Sequence, residues 1–102
     1  MNLIPIAAAA ALLMAAPAWA SQELAQKSAC MACHGIDRKL VGPAFQDVAK
    51  RYAGQADAEA TLAARIKAGG SGKWGAVPMP AQAALSEADA KTLAAWVLGT
   101  GR

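Results

Sequence analysis

The sequence predicts an all-α domain of about four helices. Apolar residues recur at three- and four-residue intervals in four stretches, and each stretch has a recognisable start and stop. Nowhere do apolar and polar residues alternate with the period of two that a half-buried strand needs.

The first helix is expected over Gln22–Met31, with Ser21 as its N-cap and Ala25 and Ala29 forming a small-residue stripe. It delivers the chain into Cys30. The second opens at Pro43, whose fixed φ suits a first helical position, carries Phe45, Val48, Ala49 and Tyr52 on one face, and stops at Gly54. The third starts from Asp57 as N-cap, buries Leu62, Ala63 and Ile66, and ends at Gly69-Gly70. The last opens with Ser86-Glu87-Ala88-Asp89, close to a capping box, and presents Ala90, Leu93, Ala94 and Val97 before Gly99, with Trp96 beside that stripe. Between the third and fourth helices, Gly69 to Ala84 is rich in Gly and Pro without helical period and reads as an irregular loop. A loop of that length in a small domain usually has a function.

Residues 1–20 stand apart from this plan. Leu3 to Ala16 is an apolar run, Pro17 breaks it, and Ala18-Trp19-Ala20 has the small-x-small pattern that signal peptidase reads. The expectation is a signal peptide over 1–20 and one folded domain over 21–102. The alternative is a retained anchor, but crossing the hydrocarbon core takes about 20 apolar residues. This run is shorter and sits between Pro5 and Pro17, although no Lys or Arg precedes it as signals usually require.

All ten Lys and Arg and all seven Asp and Glu follow Ala20, so the formal charge of +3 belongs to 21–102. The basic residues are scattered from Lys27 to Arg102 without a cluster, which argues against a nucleic-acid footprint. An Ala-rich domain this small buries little apolar area, so something besides side chains is expected to fill its middle.

The motif Cys30-Met31-Ala32-Cys33-His34 supplies a candidate. Two thiols two residues apart, followed at once by an imidazole, form the attachment pattern for c-type haem. On a helical turn Cys30 and Cys33 fall on one side, where each thiol can reach a vinyl group, and His34 follows to meet the iron. Zinc would want four Cys or His ligands, and the chain has two Cys and one His. A redox Cys-x-x-Cys pair would sit in a strand–helix framework that the periodicity does not support. A plain disulfide leaves His34 without a role.

With a single His, the other axial position falls to Met, Lys, the N-terminal amine, water or nothing. Among the methionines, Met1 and Met14 would leave with the signal, and Met31 is pinned between the two cysteines. Met79 remains, in Val77-Pro78-Met79-Pro80, where the flanking prolines restrict the backbone. A thioether raises the reduction potential, and closing both axial sites keeps small ligands off the iron.

Six stretches in order, Cys30 to Gly35, Leu40 to Phe45, Tyr52 to Gln55, Trp74-Gly75, Pro78-Met79-Pro80 and Leu93 to Val97, carry a resemblance over essentially all of Ser21 to Arg102. The chain resembles the short bacterial class I cytochromes c that carry electrons to periplasmic nitrite reductases and terminal oxidases. The resemblance implies the cytochrome c fold wrapped around one covalent haem c. It also implies a monomeric periplasmic carrier, not an enzyme and not inserted in the membrane once the signal is cleaved, with a cytochrome bc complex or similar donor and a reductase or oxidase acceptor. It further implies that the carbonyl of Pro43 accepts the free imidazole proton of His34, and that Arg65 and Trp74 contact a haem propionate.

Two departures stand out. Gln82 replaces an Asn whose amide often contacts the ligand sulfur in the family. Ala25 replaces a Phe, a loss of apolar volume that Met31 is placed to refill.

For such a carrier, Val41, Gly42, Pro43, Pro78 and Pro80 are expected to border an exposed haem edge, with Lys27, Lys39 and Lys73 nearer the rim, a surface suited to weak, fast contacts with acidic partners. A haem enzyme or gas sensor would need an open iron site, against which Met79 argues. A fixed subunit, held by an uncleaved signal or a permanent partner, would move electrons without diffusing.

Overall fold

A computed structural model describes residues 18–101, so most of the expected signal peptide lies outside the described residues. The element order is α1 (Ala18–Lys27), a short 3-10 turn (Cys30–Ala32), α2 (Phe45–Tyr52), α3 (Ala58–Ala68) and α4 (Glu87–Gly99). The described residues form no named strand; two isolated bridges, His34 with Lys39 and Gly70 with Met79, pin the loops. The helical expectation holds.

The centre of the domain is α4, which packs against α1, α2 and α3. Its buried residues, Ala90, Leu93, Ala94 and Val97, follow the spacing of a single helical face. Ala90 and Ala94 are fully buried, as is Ala25 of α1, and side chains this small let the two helices approach closely. Phe45, Val48 and Tyr52 of α2 and Leu62, Ala63 and Ile66 of α3 complete the core. At the start of α4, Ser86 Oγ accepts a 3.0 Å hydrogen bond from the Asp89 amide, and at its end the Thr100 hydroxyl donates to the Val97 carbonyl over 2.6 Å.

Three expected boundaries move. In α1, Ser21 is no N-cap: the helix already includes Ala18, and Ser21 is buried within it. The helix stops at Lys27 instead of running to Met31, because Ala29 takes a left-handed φ of 61° and turns the chain into Cys30. Pro43 stands two residues ahead of α2, and Ala44, extended at φ −60° and ψ 141°, is the N-cap. The third helix does begin after Asp57, but the Asp57 side chain makes no capping hydrogen bond.

Candidate functional site

The core is not filled by side chains alone. Helices α2, α3 and α4 surround a cavity of about 430 Å³ whose apolar wall includes Val48, Leu62, Ile66, Leu93 and Val97. Protein interiors are packed as densely as organic crystals, with few voids larger than a water. A cavity of this size in so small a domain is a binding site for a large, mainly apolar group.

The left-handed Ala29 starts the 3-10 turn that presents the cysteines. Cys33 N–H and His34 N–H both donate to the Cys30 carbonyl, over 3.1 and 3.0 Å. In a 3-10 turn residues three apart eclipse one another, which aligns Cys30 and Cys33 more closely than the α-helical turn expected from spacing alone. Both thiols reach the cavity wall. Burial pushes the Cys30 thiol above its ordinary pKa, opposed by a backbone hydrogen bond and reinforced by the neighbouring Cys33. That is the reverse of the acidic thiolate on which redox Cys-x-x-Cys pairs depend.

The His34 ring, also on the cavity wall, is held from several sides. Gly42 N–H donates to the Cys33 carbonyl over 2.7 Å, and Phe45 N–H and Gln46 N–H donate to the carbonyls of Gly35 and Ile36. These bonds fold residues 35–44 back so that the Pro43 carbonyl lies 2.7 Å from His34 Nδ1. A carbonyl only accepts, so Nδ1 carries a proton, and in the neutral ring Nε2 then has the lone pair. Phe45 stacks on the imidazole with centroids 4.9 Å apart at 18°, and Trp96 meets Phe45 edge-on at 5.3 Å. Sequence reasoning placed Phe45 in the core and missed this support for the ring.

Met79 lines the same cavity from the long loop. Its amide donates to the Gly70 carbonyl over 2.8 Å, and its own carbonyl accepts from Gly70 N–H over 3.0 Å. Gly69, at φ 65°, lies so close beneath this pair that a Cβ there would meet the Met79 carbonyl oxygen. Arg65 and Trp74 are also on the wall; the Arg65 guanidinium donates weakly to the Ser71 carbonyl at 3.5 Å. Gln82 does not turn its amide nitrogen to the Met79 sulfur; that nitrogen donates to the Ser28 carbonyl over 3.1 Å.

At the mouth, Val41 and Val77 are 56% and 66% exposed, with Leu40 beside Val41 at 47%. The expected border residues Val41, Gly42, Pro43, Pro78 and Pro80 all line the cavity, as does Lys39. Lys27 is exposed at the end of α1, away from the wall. Lys73 lines the cavity as well, and its amine donates to the Tyr52 hydroxyl over 2.7 Å. Leu40, Val77 and the partnership of Lys73 with Tyr52 carry no signal in hydrophobic periodicity.

One apolar cavity thus gathers two thiols, an imidazole with its Nε2 lone pair free, and a thioether, a donor set that fits a covalently attached haem. The comparisons agree. The family model described as cytochrome c matches residues 19–101. Cytochrome c-552 of Nitrosomonas europaea is 52% identical over 91 residues, covering 89% of this chain and 88% of that protein. Cytochrome c-551 of Azotobacter vinelandii is 60% identical over 77 residues, covering 76% and 93%. The crystal structure of wild-type Nitrosomonas europaea cytochrome c552 superposes with a TM-score of 0.75 at 49% identity, covering 78% of this chain and 98% of that one. The chain belongs to the cytochrome c family, as a short class I member that carries electrons on one covalently bound haem c and is not an enzyme.

Proposed function

We propose that Cys30 and Cys33 would hold the haem through two thioether bonds and that His34 Nε2 and the Met79 sulfur would ligate its iron. The observation that carries this reading is that one cavity collects both thiols, the chain's single histidine and the one methionine its long loop contains. The bound haem supplies one-electron exchange between ferrous and ferric iron. The chain's own residues set the terms of that exchange. Pro43 fixes the tautomer of His34 and makes the ring a better donor. Phe45 restrains the plane of the ring, and the Met79 thioether favours the ferrous state. Arg65 and Trp74, both on the cavity wall, would offer a guanidinium and an indole N–H to a propionate.

In this reading residues 1–20 direct export and residues 21–102 remain as a periplasmic carrier. No helix among the described residues is long and apolar enough to cross a membrane. The exposed Val41 and Val77 at the mouth, with Lys39, form a small apolar docking face with a positive rim. That face suits brief contacts with a cytochrome bc-type donor and a nitrite reductase or terminal oxidase acceptor.

The experiment is spectroscopic. After acid–acetone extraction the pyridine haemochrome is expected to stay with the polypeptide, and the ferric protein is expected to show the weak red band of methionine-ligated iron. Haem that extracts into the acetone overturns the thioethers, and a missing red band at neutral pH overturns Met79. N-terminal sequencing of the exported protein should begin at Ser21; a chain retaining residues 1–20 would be an anchored subunit instead.

A further inference from the structure

The end of α2 and the tip of the long loop hold each other through two reciprocal contacts. Arg51 and Tyr52 are adjacent on α2; Lys73 and Trp74 are adjacent in the loop. The Arg51 guanidinium lies 4.5 Å from the centroid of the Trp74 ring and donates to the Lys73 carbonyl over 2.7 Å. In the other direction, the Lys73 amine lies 3.9 Å from the centroid of the Tyr52 ring and donates to its hydroxyl over 2.7 Å. Each pair of neighbours thus contributes one cation and one aromatic ring. Tyr52 is only 2% exposed, so its ring is a fixed platform and the contact is well shielded from water.

The base of the same loop is built differently. Gly70 and Met79 exchange two backbone hydrogen bonds, and Gly72 N–H donates to the Gly75 carbonyl over 2.8 Å, so residues 70–79 form a closed hairpin-like unit. That unit joins α3 through Gly69 and Gly70, both at positive φ (65° and 129°) that glycine adopts without strain, and just past its other end Gln82 N–H donates to the Ile66 carbonyl of α3 over 3.2 Å. These backbone bonds hold the base of the loop, and the tip needs ties of its own. The far end is tied at Lys73 and Trp74.

We propose that Arg51, Tyr52, Lys73 and Trp74 form a clasp that pins the Met79 loop, making Arg51 and Lys73 positioning residues for the Met79 sulfur. The proposal rests on Met79 being that ligand. With the clasp closed, the tip braces the loop and the thioether stays on the cavity wall; with it open, the loop relies on the Gly70–Met79 and Gln82–Ile66 backbone bonds at its base, and Met79 leaves the wall more often. An added ligand reaches ferric iron only in the open state, so its apparent affinity measures how often the loop opens. Holding the loop in this way also keeps the carrier from binding small molecules in place of its own sulfur.

The test uses the ferric holoprotein with imidazole as probe. The double variant Arg51→Gln, Lys73→Met is expected to bind imidazole about tenfold more tightly than the parent and to lose the red band on warming before the helices melt. Lys91→Met removes an exposed positive charge from α4 and should match the parent in both readouts. Tyr52→Phe removes only the oxygen that accepts from Lys73; it serves if the double variant does not fold, and a severalfold rise is expected. Imidazole affinity within twofold of the parent, with the red band surviving to the global melt, overturns the clasp even if the melting temperature has fallen. A parent protein with no red band overturns the Met79 reading itself and the clasp with it, an outcome distinct from a parent with the band and variants that do not change.

Discussion

Gly42 lies against the face of the His34 imidazole so closely that a Cβ on Gly42 would come within 2.6 Å of Cε1 and 2.9 Å of Nδ1. The ring has nowhere to retreat, since Nδ1 is bonded to the Pro43 carbonyl and Phe45 stacks upon it. Gly42→Ala must therefore displace either the ring or the segment that carries Pro43. Forcing a methyl into a packed site costs about 1–3 kcal/mol, and here the cost should come with a tilted or unbonded imidazole. The expected outcome is a lower melting temperature together with a shifted reduction potential; a potential equal to the parent's would show that the ring does not need this glycine.

Ala29 makes the opposite case, a side chain where none is wanted. It is the one non-glycine residue at positive φ among the described residues, and it sits at the turn that aims Cys30 and Cys33. The left-handed conformation costs an L-residue roughly 1–2 kcal/mol, whereas glycine adopts it freely at an entropic cost of roughly 0.5–1 kcal/mol. Ala29→Gly is expected to stabilise the holoprotein by up to about 1 kcal/mol, which for a domain of this size is a rise of roughly 4–8 °C in Tm. A fall in thermal or denaturant unfolding would mean that Ala29 makes contacts worth more than its strain.

Met31 lies between the two haem-attachment cysteines, yet it packs as a partly buried residue against the core that contains the fully buried Ala25. The small Ala25 lets α1 lie close to α4, and a flexible Met31 side chain against the same core is suited to making up apolar volume that a larger residue at 25 would supply. Met31→Val removes this reach and is expected to cost about 1 kcal/mol. The control is a substitution at exposed Gln26. Equal melting temperatures for the two variants would remove Met31 from the core.

The legible part of this structure is the part where covalent chemistry or a local cap dictates sequence. Cys30, Cys33 and His34 stand out in the sequence because two thioethers and one imidazole would demand that spacing, and the structure brings all three to one cavity wall with Met79. Ser86 announced α4 through the short-range bond it makes to Asp89. The end of α1 was not legible, because Ala29 is a helix-favouring residue held left-handed by its surroundings, and no local preference encodes that. Pro43 read as a helix start on local grounds; its place ahead of α2 follows from the pairing of Cys33, Gly35 and Ile36 carbonyls with amides on the far side of a loop. The contacts of Arg51 with Trp74 and of Lys73 with Tyr52 join residues more than twenty apart through a segment without period, beyond the reach of pattern reading.

Gln82 ties the long loop to the first helix. Its side-chain amide donates to the Ser28 carbonyl over 3.1 Å, across 54 residues of sequence, while its backbone amide donates to the Ile66 carbonyl over 3.2 Å. Ser28 lies just beyond α1 and just ahead of the attachment motif, so this bond links the Met79 side of the cavity to the cysteine side. A part-buried bond of this kind is worth about 0.5–1.5 kcal/mol, and removing the donor leaves the Ser28 carbonyl short of a partner. Gln82→Ala is expected to lower Tm by a few degrees while leaving the red band and the reduction potential near the parent's, because the amide is committed to Ser28 and not to sulfur. Gln82→Asn, one methylene shorter, should fail to restore the bond and melt like the alanine variant. A large change in potential with no loss of stability in Gln82→Ala would place the amide on the Met79 sulfur instead.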